Sequence, residues 1–568
     1  MRPIRLLPFL LATALAACVS LPTPSPTLAV GAVQGSGNRS PWQGRDVTVE
    51  GIVTADFRGG LGLLALQGTP DGDPATSDAV FVAGVPAGFG EGAHLRVRGR
   101  VEERDGGRDA RVTVIDAAEV RALRPVAQPS PVLLQALPAD AAAWESLEAM
   151  RVRVAQPVIV VGHHNAARFG EWQVALGERL WTPTEVALPG ADANELGRRN
   201  RARMLLLDDG DGRERAGTPM SLDIPRAGSV LEQVEGIVDE RHGRYRLQMT
   251  APLQPRPVQR PAAPARAGEV RIVAINLQNL FNGDGRGGGF PTARGARTHA
   301  DYLRQRAKLV TALSALDADA VALMELENDA AGPLASEAQL VDALNAAHGG
   351  DWHAVPMPRT ANTDAIRVGL IYRASRLEAV GGPRALDAGP FASHSRPPLA
   401  QTFRAGTGSP FTLVANHFKS KGCREAKGAD ADRRDGQSCW NAMRLDAAQR
   451  LDGWLRNAPG GLGAVLLLGD LNAYAMEDPL RWLREAGWQD AFVRNGTTPV
   501  YSYVYEGQAG RLDHALLSPA LAPRLQAAQV WHINADEPDI ADPPGAAPTP
   551  WRSSDHDPLV IDLRLRSQ

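Results

Sequence analysis

The stretch Val465-Leu466-Leu467-Leu468-Gly469-Asp470-Leu471-Asn472 decides the fold of the second half of the chain. Four consecutive apolar residues predict a strand that is buried on both faces. Gly469 ends this run, and Asp470 and Asn472 then point the same way because side chains alternate along an extended chain. A carboxylate and an amide oxygen at a strand end suit a hard metal ion or an activated water. An ordinary turn is the alternative interpretation, because Gly-Asp and Asn-Ala pairs are common in turns.

Other segments of the same half repeat this plan, with polar side chains at the end of an apolar run or beside one. In chain order they contribute Asn276, Glu325, His417, Asp513, and the pair Asp555 and His556. Unrelated turns would not produce this series of residue types across one half of a chain. The sequence therefore predicts one site, built where several strands end.

The order of these residues resembles the endonuclease/exonuclease/phosphatase superfamily, which includes deoxyribonucleases, abasic-site endonucleases, neutral sphingomyelinases and inositol-polyphosphate phosphatases. Within it, four segments resemble secreted bacterial nucleases of the ExeM/NucH type: 276–285, 323–329, 416–422 and 436–441. The resemblance covers roughly residues 268 to 566. It implies an α+β catalytic domain with the four-layer α/β sandwich of deoxyribonucleases.

The resemblance also implies a metal site that holds Mg²⁺ or Mn²⁺. Glu325 matches the principal metal ligand of the family, and Asn276 matches the residue that binds the same ion or a phosphate oxygen. Asp555 resembles a further metal ligand. Glu327 lies two residues after Glu325, but the register of the strand favours Glu325.

The remaining catalytic roles concern acid and base chemistry. We expect His417 and His556 to form the acid/base pair, because an imidazole titrates near neutral pH. By resemblance, Asp470 orients or deprotonates the water, Asn472 grips the phosphate, and Asp513 supports His417 or a second metal ion. Which histidine acts as the acid stays open.

Two cationic side chains are expected to bind substrate. Arg396, in the segment Arg396-Pro397-Pro398-Leu399, resembles an arginine that the family places on phosphate. Lys419 lies two residues after His417 and, with Lys421 beside it, offers local positive charge for the scissile strand or its neighbour. A plain surface loop is the alternative interpretation for the arginine.

The amino terminus carries the marks of an export signal over residues 1–17. Arg2 and Arg5 precede the apolar run Leu6–Leu15, which is too short to span a bilayer as a stable helix. Leu15-Ala16-Ala17-Cys18 resembles a bacterial lipoprotein box, in which Cys18 would be acylated. We expect an outer-membrane lipoprotein that faces the periplasm or the cell surface. Ordinary cleavage and secretion are the alternative.

Cysteine number agrees with this expectation. The chain has three cysteines, an odd number for an exported protein. If Cys18 carries lipid, Cys423 and Cys439 remain, and in an oxidising compartment they should form a disulfide. Aspartates at 430, 432 and 435 lie between them. They predict either a structural Ca²⁺ site or a stapled surface loop of mixed charge.

Composition divides the rest of the chain into modules. Residues 18–40 are rich in Pro, Ser, Thr and Gly and predict a flexible tether. Short alternating strands over 41–124 resemble an OB-fold barrel, and residues 145–255 predict a second, related barrel. A Pro/Ala linker at 256–267 precedes the catalytic domain, 268–568. The barrels would hold a nucleic-acid strand or act only as spacers.

These features together predict a metal-dependent extracytoplasmic nuclease that acts on DNA with little sequence preference. Whether RNA is also cut stays open. The formal net charge is −3, so DNA would be held by local basic grooves and metal ions rather than by a global field. The first alternative is a phosphatase or phosphodiesterase acting on lipid headgroups or nucleotides. The second is a nucleic-acid-binding lipoprotein with a decayed hydrolase domain. No protein partner is inferred.

Overall fold

The computed structural model describes residues 26–107, 110–214, 224–539 and 545–565. The predicted signal peptide at 1–17 and the predicted lipidation of Cys18 lie outside these residues. In the described part of the chain, no helix is both long and apolar enough to cross a membrane. The protein is a mixed α/β molecule in which two β-rich bodies precede a larger domain of sheets and helices.

The first body is a closed β-barrel. Strand β2 pairs with β3, β3 with β4, β4 with β6, β6 with β5, and β5 returns to β2. The β4–β6 pair is parallel, and the other four pairs are antiparallel. The elements are β1 (Thr27–Leu28), α1 (Val30–Gln34), β2 (Asp46–Phe57), β3 (Leu63–Gln67), β4 (Ala79–Ala83), β5 (His94–Gly107) and β6 (Ala110–Ala122).

The barrel begins earlier than the sequence predicts. The flexible tether predicted over 18–40 does not extend through residues 27–34, because β1 pairs with β2 and α1 places Val30 and Val33 in the barrel core. Burial of these two apolar side chains gives the segment a fixed position, which a Pro- and Ser-rich composition does not reveal.

The second body starts with β7, before the predicted boundary at residue 145. Its sheet has the order β13-β9-β10-β12-β15-β14-β8-β7. Strands β8 and β9 lie near the two ends of this order, are joined by residues 155–157, and share one apolar core with the strands between them. The elements are β7 (Val132–Leu134), α2 (Ala141–Glu145), β8 (Arg151–Val154), β9 (Val158–Gly162), α3 (Ala166–Phe169), β10 (Trp172–Leu176), β11 (Leu180–Trp181), α4 (Pro183–Val186), α5 (Ala191–Arg201), β12 (Met204–Asp208), β13 (Val230–Leu231), β14 (Val234–Arg241) and β15 (Arg244–Met249).

The linker predicted at 256–267 lies along the third body. Trp531 Nε1 donates to the carbonyl of Pro261 at 3.0 Å, and Arg271 Nη1 donates to the carbonyl of Pro264 at 2.8 Å. These bonds fix the linker against the domain that follows it.

The third body contains two six-stranded sheets, with the orders β18-β19-β17-β16-β29-β28 and β20-β21-β22-β23-β27-β24. Its strands and helices are β16 (Val270–Leu280), α6 (His299–Leu316), β17 (Ala320–Glu327), α7 (Ser336–His348), β18 (Trp352–Ala354), β19 (Ile366–Arg373), β20 (Glu378–Ala385), β21 (Arg396–Arg404), β22 (Phe411–His417), α8 (Asn441–Arg456), β23 (Val465–Asp470), α9 (Asp478–Glu485), β24 (Gln489–Asp490), α10 (Ala491–Asn495), β25 (Tyr503–Tyr505), β26 (Gln508–Gly510), β27 (Asp513–Leu517), β28 (Leu525–Val530) and β29 (Leu559–Leu563). Short 3-10 helices lie at Gly389–Ala392, Gly428–Asp430 and Ala522–Arg524.

The two sheets share one apolar core, and helices pack on their outer faces. Alternation along β17 sends Ala322 into the core between the sheets and Leu323 toward α6 and α7. In β23, Leu466 faces the core between the sheets, and Leu467 faces α8 and α9. The apolar run 465–468 is therefore buried on both faces, as the sequence predicts. Each such leucine stabilises the fold by about 1.5–3 kcal/mol.

Candidate active site

Four candidate residues occupy one row across the second sheet. Arg396 on β21 is opposite His417 on β22, His417 is opposite Asp470 on β23, and Asp470 is opposite Asp513 on β27. This register brings together residues that are up to 117 positions apart in sequence (513 − 396). The strand pairing alone therefore assembles half of the site.

Gly469, the residue before Asp470, lets β22 and β23 lie close enough for this row to form. Its φ is 125°, and a Cβ at this position would lie 2.3 Å from the carbonyl oxygen of Asn416. Any larger residue would push β22 and β23 apart. The glycine that ends the apolar run is thus required by close packing of two strands.

The first sheet contributes Asn276 and Glu325. Asn276 Nδ2 donates to Asp470 Oδ2 at 3.2 Å, which joins the two sheets at the site. Glu325 lies where the β16–β17 and β17–β19 ladders are interrupted, and its φ of 62° is left-handed. This conformation is uncommon for a residue with a side chain and turns the carboxylate out of the regular strand alternation.

His556 forms a close pair with Asp513. The imidazole Nδ1 lies 2.7 Å from Asp513 Oδ2, which also accepts the hydroxyl of Ser502 at 2.7 Å. Burial opposes a charge on this ring, but the carboxylates of Asp513, Asp555 and Asp470 outweigh it and raise the pKa of His556 well above its usual value. His556 is therefore an imidazolium at neutral pH, with Nε2 left to carry a second proton.

His417 has the opposite surroundings. It is buried, its Nε2 lies 3.6 Å from Asp470 Oδ2, and no hydrogen-bond partner reaches its Nδ1 within the described residues. Burial, with the positive charges of Arg396 and His556, lowers the pKa of His417 well below its usual value. This ring is neutral at neutral pH.

Asp470 lies between the two histidines and has an unusual proton affinity. Burial is the largest cause that raises the pKa of Asp470, to about 7, with the charge of His556 opposing it and that of Asp513 adding to it. Its Oδ1 accepts the backbone amide of Asn472 at 2.8 Å. A carboxylate with such a pKa can exchange a proton near neutral pH.

The family comparison matches this part of the chain. The sequence profile described as "Endonuclease/Exonuclease/phosphatase family" matches residues 275–556, a range that runs from the residue before Asn276 to His556. Residues 275–556 form an endonuclease/exonuclease/phosphatase family domain. No curated protein matches the chain.

Three solved structures show the extent of the likeness in fold. An endonuclease/exonuclease/phosphatase from Bacteroides vulgatus has 14% identity and a TM-score of 0.35, over 52% of this chain and 99% of its own. Humanized D. rerio TDP2 has 16% identity and a TM-score of 0.34, over 51% and 97%. The human Nocturnin catalytic domain has 16% identity and a TM-score of 0.33, over 53% and 95%. The family assignment rests on the profile match.

Enzymes of this family use divalent metals, and the donors of the endonuclease/exonuclease/phosphatase domain fit such an ion. Asp470 and Asp513 bring carboxylate oxygens within 4.8 Å of each other, next to His556. Beside them, burial raises the pKa of Glu325, and the nearby charge of Asp555 raises it further. Asp513 Oδ1 is buried without a hydrogen-bond partner in the described part of the chain. Crowded carboxylate oxygens of this kind suit Mg²⁺ or Mn²⁺.

The residues predicted to bind substrate are held by protein groups. Arg396 is buried, with Nη1 3.1 Å from the carbonyl oxygen of Phe418 and Nε 3.2 Å from Asp364. Asn472 Nδ2 donates to the same carbonyl at 3.1 Å, at a left-handed φ of 47°. Both side chains therefore fix the turn after His417 while lying beside the site.

Lys419 is half-buried, and its ammonium lies 5.1 Å from the centre of the Trp440 ring. Burial and the charge of Arg396 lower the pKa of this lysine. Lys421, also considered a source of local charge, forms an ion pair with Glu477 at 2.6 Å. Of these two lysines, Lys419 is the one left for substrate.

The loop next to Lys419 is closed by a disulfide between Cys423 and Cys439, as predicted. Its three aspartates each accept a backbone amide, from Met443, Arg434 and Gln437. Among the described residues, the Asp470 cluster alone gathers three acidic or histidine ligands, so the aspartates of this loop form no Ca²⁺ cluster there. Their role here is to shape the stapled loop.

Sequence reasoning missed several side chains of the site. Ser502 holds the Asp513 carboxylate, and the Tyr503 ring lies 4.5 Å from the His556 ring, centre to centre. Asp557 accepts the amides of Asn534 and Ala535, at 2.7 and 3.1 Å, and fixes the loop of His556. The run Ser-Asp-His-Asp at 554–557 places Asp557 directly after the candidate His556, so the sequence could have indicated this residue. No pattern around Ser502 points to its partner, because the pairing of distant strands creates the contact.

Proposed function

We propose that this protein is a metal-dependent nuclease that hydrolyses phosphodiester bonds of DNA with little sequence preference, and that RNA is a second substrate. The observation that carries the proposal is the pair of histidines beside Asp470, of which His556 is cationic and His417 is neutral. Phosphodiester hydrolysis needs a group that takes a proton from water and a group that gives one to the leaving oxygen. Asp470 and His556 have the proton affinities for these two roles.

The residues of the site divide the reaction as follows. Asp470, ionised above about pH 7, accepts the proton of the attacking water. His556 gives the Nε2 proton to the leaving oxygen, while Asp513 holds the ring through Nδ1 at 2.7 Å. His417, a neutral imidazole, orients groups by hydrogen bonding, and Lys419 attracts the phosphate backbone.

A metal ion would be held by Glu325, Asn276 and Asp555, with Asp470 and Asp513 beside them. When bound, it supplies positive charge that polarises the phosphate and lowers the pKa of water. The buried carboxylates of the site need such a cation, because unpaired buried charge is costly.

We also propose that the catalytic domain is the four-layer sandwich of deoxyribonucleases and that both β bodies are OB-type barrels. Two observations support the barrels. If the five strands β2 to β6 of the first body are numbered 1 to 5, they pair in the order 1-2-3-5-4-1, and strands 3 and 5 (β4 and β6) are parallel. The second body repeats this order, with β8 and β9 together as its first strand and β12 parallel to β15.

The proposed location is outside the cytoplasm. The Cys423–Cys439 disulfide supports it, because such bonds persist mainly in oxidising compartments. A lipid on Cys18 would anchor the enzyme in the outer membrane, facing the periplasm or the cell surface, and a secreted form is the alternative. The anchored enzyme would degrade extracellular DNA.

Digestion of supercoiled plasmid by the full chain tests the function. Nicking with Mg²⁺, lost in EDTA and restored by added Mg²⁺ or Mn²⁺, is the expected result. Glu325→Gln should reduce the rate by about 100-fold, since it removes a charged ligand. Glu327→Gln is the matched control, since this side chain only accepts the amide of Asn282 at 2.9 Å. Intact plasmid with hydrolysis of a lipid-headgroup phosphodiester would overturn the nuclease assignment.

A further inference from the structure

The second β body is fixed to the catalytic domain by a buried interface. Strand β11 pairs in parallel with β26 of the catalytic domain, so one small sheet contains strands from both. Next to it, the Arg511 guanidinium contacts Glu185 of the second body at 3.1 Å and Asp490 at 3.0 Å, with every side chain at most 2% exposed. Breaking a buried pair of this kind is strongly destabilising, because it leaves an unpaired buried charge. The interface therefore fixes the second body against the catalytic domain.

This interface leaves a cleft of about 160 Å³ beside the active site. Gln278, Tyr503 and Asp555 line it from the catalytic domain, and His163, His164 and Gln173 line it from the second body. The cleft reaches the reacting groups, because Asp555 precedes His556 and the Tyr503 ring lies 4.5 Å from that of His556. Pockets for whole drug-sized ligands are about 300–1,000 Å³, so this cleft suits one chemical group.

The walls of the cleft are preformed. His163 Nε2 lies 2.9 Å from the carbonyl oxygen of Asp536, which fixes that ring across the interface. Gly162 and Gly507 approach so closely that a Cβ on Gly162 would lie 3.3 Å from the Gly507 backbone and 2.4 Å from Gln173 Oε1. The Gln173 side chain is therefore held between two backbone segments.

The chemistry of the lining favours a base over a phosphate. Asp539 and Glu506 line the cleft together with Asp555, whose charge the proposed metal ion would offset. Arg552 is its one arginine or lysine within the described residues. Its Nη1 already donates to the carbonyl of Asn534 at 3.2 Å. An anion would meet an acidic wall with little free positive charge.

The neutral groups match the edge and the face of a base. In the described part of the chain, the side-chain amides of Gln173 and Gln278 have no hydrogen-bond partner, and each offers both donors and an acceptor. Carboxamides pair with the donor and acceptor pattern of base edges. Tyr503 presents an aromatic ring, on which an unpaired base can stack.

We propose that this cleft binds the base of a nucleotide next to the scissile phosphate, and that this base enters unpaired. The assignment rests on the proposed nuclease function and adds a substrate class, single-stranded nucleic acid. A paired base cannot enter without leaving its stack, which is energetically unfavourable. Single strands should therefore be cut about tenfold faster than the matching duplex, or more.

Kinetics on three substrates test the assignment with the full chain. They are a labelled single-stranded oligonucleotide, its duplex, and bis(4-nitrophenyl) phosphate, which carries no base. Gln173→Ala should lower the ratio of kcat/KM on the single strand to kcat/KM on the small diester by about threefold to tenfold. Gln156→Ala, an exposed glutamine of the same body outside the cleft, is the matched control and should leave this ratio unchanged.

An oligonucleotide with one abasic position, moved along the strand, locates the base that is bound. When the abasic position lies next to the cut, the wild-type enzyme should be slower. Gln173→Ala should add little to that loss, because both changes remove the same contact. If Gln173→Ala lowers the melting temperature, His164→Ala at the exposed wall should show the same selective loss.

Two results would overturn the assignment. A Gln173→Ala enzyme with the wild-type ratio, or equal cutting of single strand and duplex by the wild type, would show that no base enters the cleft while nuclease activity stands. Hydrolysis of bis(4-nitrophenyl) phosphate with no cutting of either DNA would instead refute the nuclease function, and the cleft assignment with it.

Discussion

His417 and His556 are both buried imidazoles close to Asp470, and their neighbours shift the two pKa values in opposite directions. His556 has a carboxylate 2.7 Å from Nδ1, which raises its pKa despite burial. His417 has no acceptor at Nδ1 among the described residues and is near the guanidinium of Arg396, so burial and this charge lower its pKa.

The comparison shows that residue type does not assign the role. Either histidine could act as an acid by its ordinary pKa, but only a ring that keeps its proton at neutral pH can give it to a leaving oxygen. The carboxylate that contacts Nδ1 of His556, from Asp513, decides which one does. We therefore propose His556 as the acid and a neutral hydrogen-bonding role for His417.

His556→Ala should cause the largest loss, because it removes the proton donor. We expect a fall of about 1,000-fold in the rate of plasmid nicking, within the usual range for a general acid. Circular dichroism and thermal unfolding should show that the variant is folded. A His556→Ala enzyme within about tenfold of the wild type would contradict the assignment.

Asp513→Asn should cause the next largest loss. The amide keeps the shape of the side chain but removes the charge that holds the His556 proton, so we expect about 30- to 100-fold lower activity at pH 8. Activity should recover in part at lower pH. Ser502→Ala, which removes the hydroxyl bond to the same carboxylate oxygen, is the milder comparison. Equal losses in both variants would mean that orientation matters more than charge.

The pH profile follows from the two proton affinities. Asp470 must be ionised to accept a proton, so activity should rise with pH up to about 7 and change about tenfold per pH unit below that value. It should fall again at alkaline pH, when His556 loses its proton, since the pKa of that ring is raised. Measurement of kcat/KM between pH 5 and pH 10, at about constant metal occupancy, checks both limbs. A profile that falls from pH 5 to pH 7 would be incompatible with Asp470 as the base.

His417→Ala should cause the smallest loss of the set, about tenfold, because a neutral ring contributes hydrogen bonding rather than a proton. Both limbs of its pH profile should stay where the wild type has them. A shift of the alkaline limb in this variant, with none in Asp513→Asn, would exchange the roles of the two histidines.

The sequence predicts the site well where local pattern decides the position. The apolar run 465–468 predicts a strand buried on both faces, and β23 is such a strand. The polar residues that follow each strand meet at one edge because β16, β17, β22 and β23 form parallel pairs. The disulfide also follows from cysteine number and spacing.

Other features depend on contacts between distant segments, which no local pattern encodes. The pairing of Asp513 with His556 rather than with His417 depends on strand register and on the path of the loop before β29. The ordered segment 27–34 arises from packing against the barrel core. The interface between Glu185 and Arg511 joins residues that lie more than 300 positions apart in the sequence. The sequence suggests Lys421 as a source of charge for substrate, but in the structure this lysine forms an ion pair with the buried Glu477.

NMR titration of the imidazole nitrogens in the full chain tests the central claim most directly. The account predicts that His556 stays protonated through neutral pH and that its signals shift in Asp513→Asn. It also predicts that His417 stays neutral over the same range. A protonated His417, or a His556 that titrates near the ordinary value of about 6.5, would contradict the assignment of acid and base.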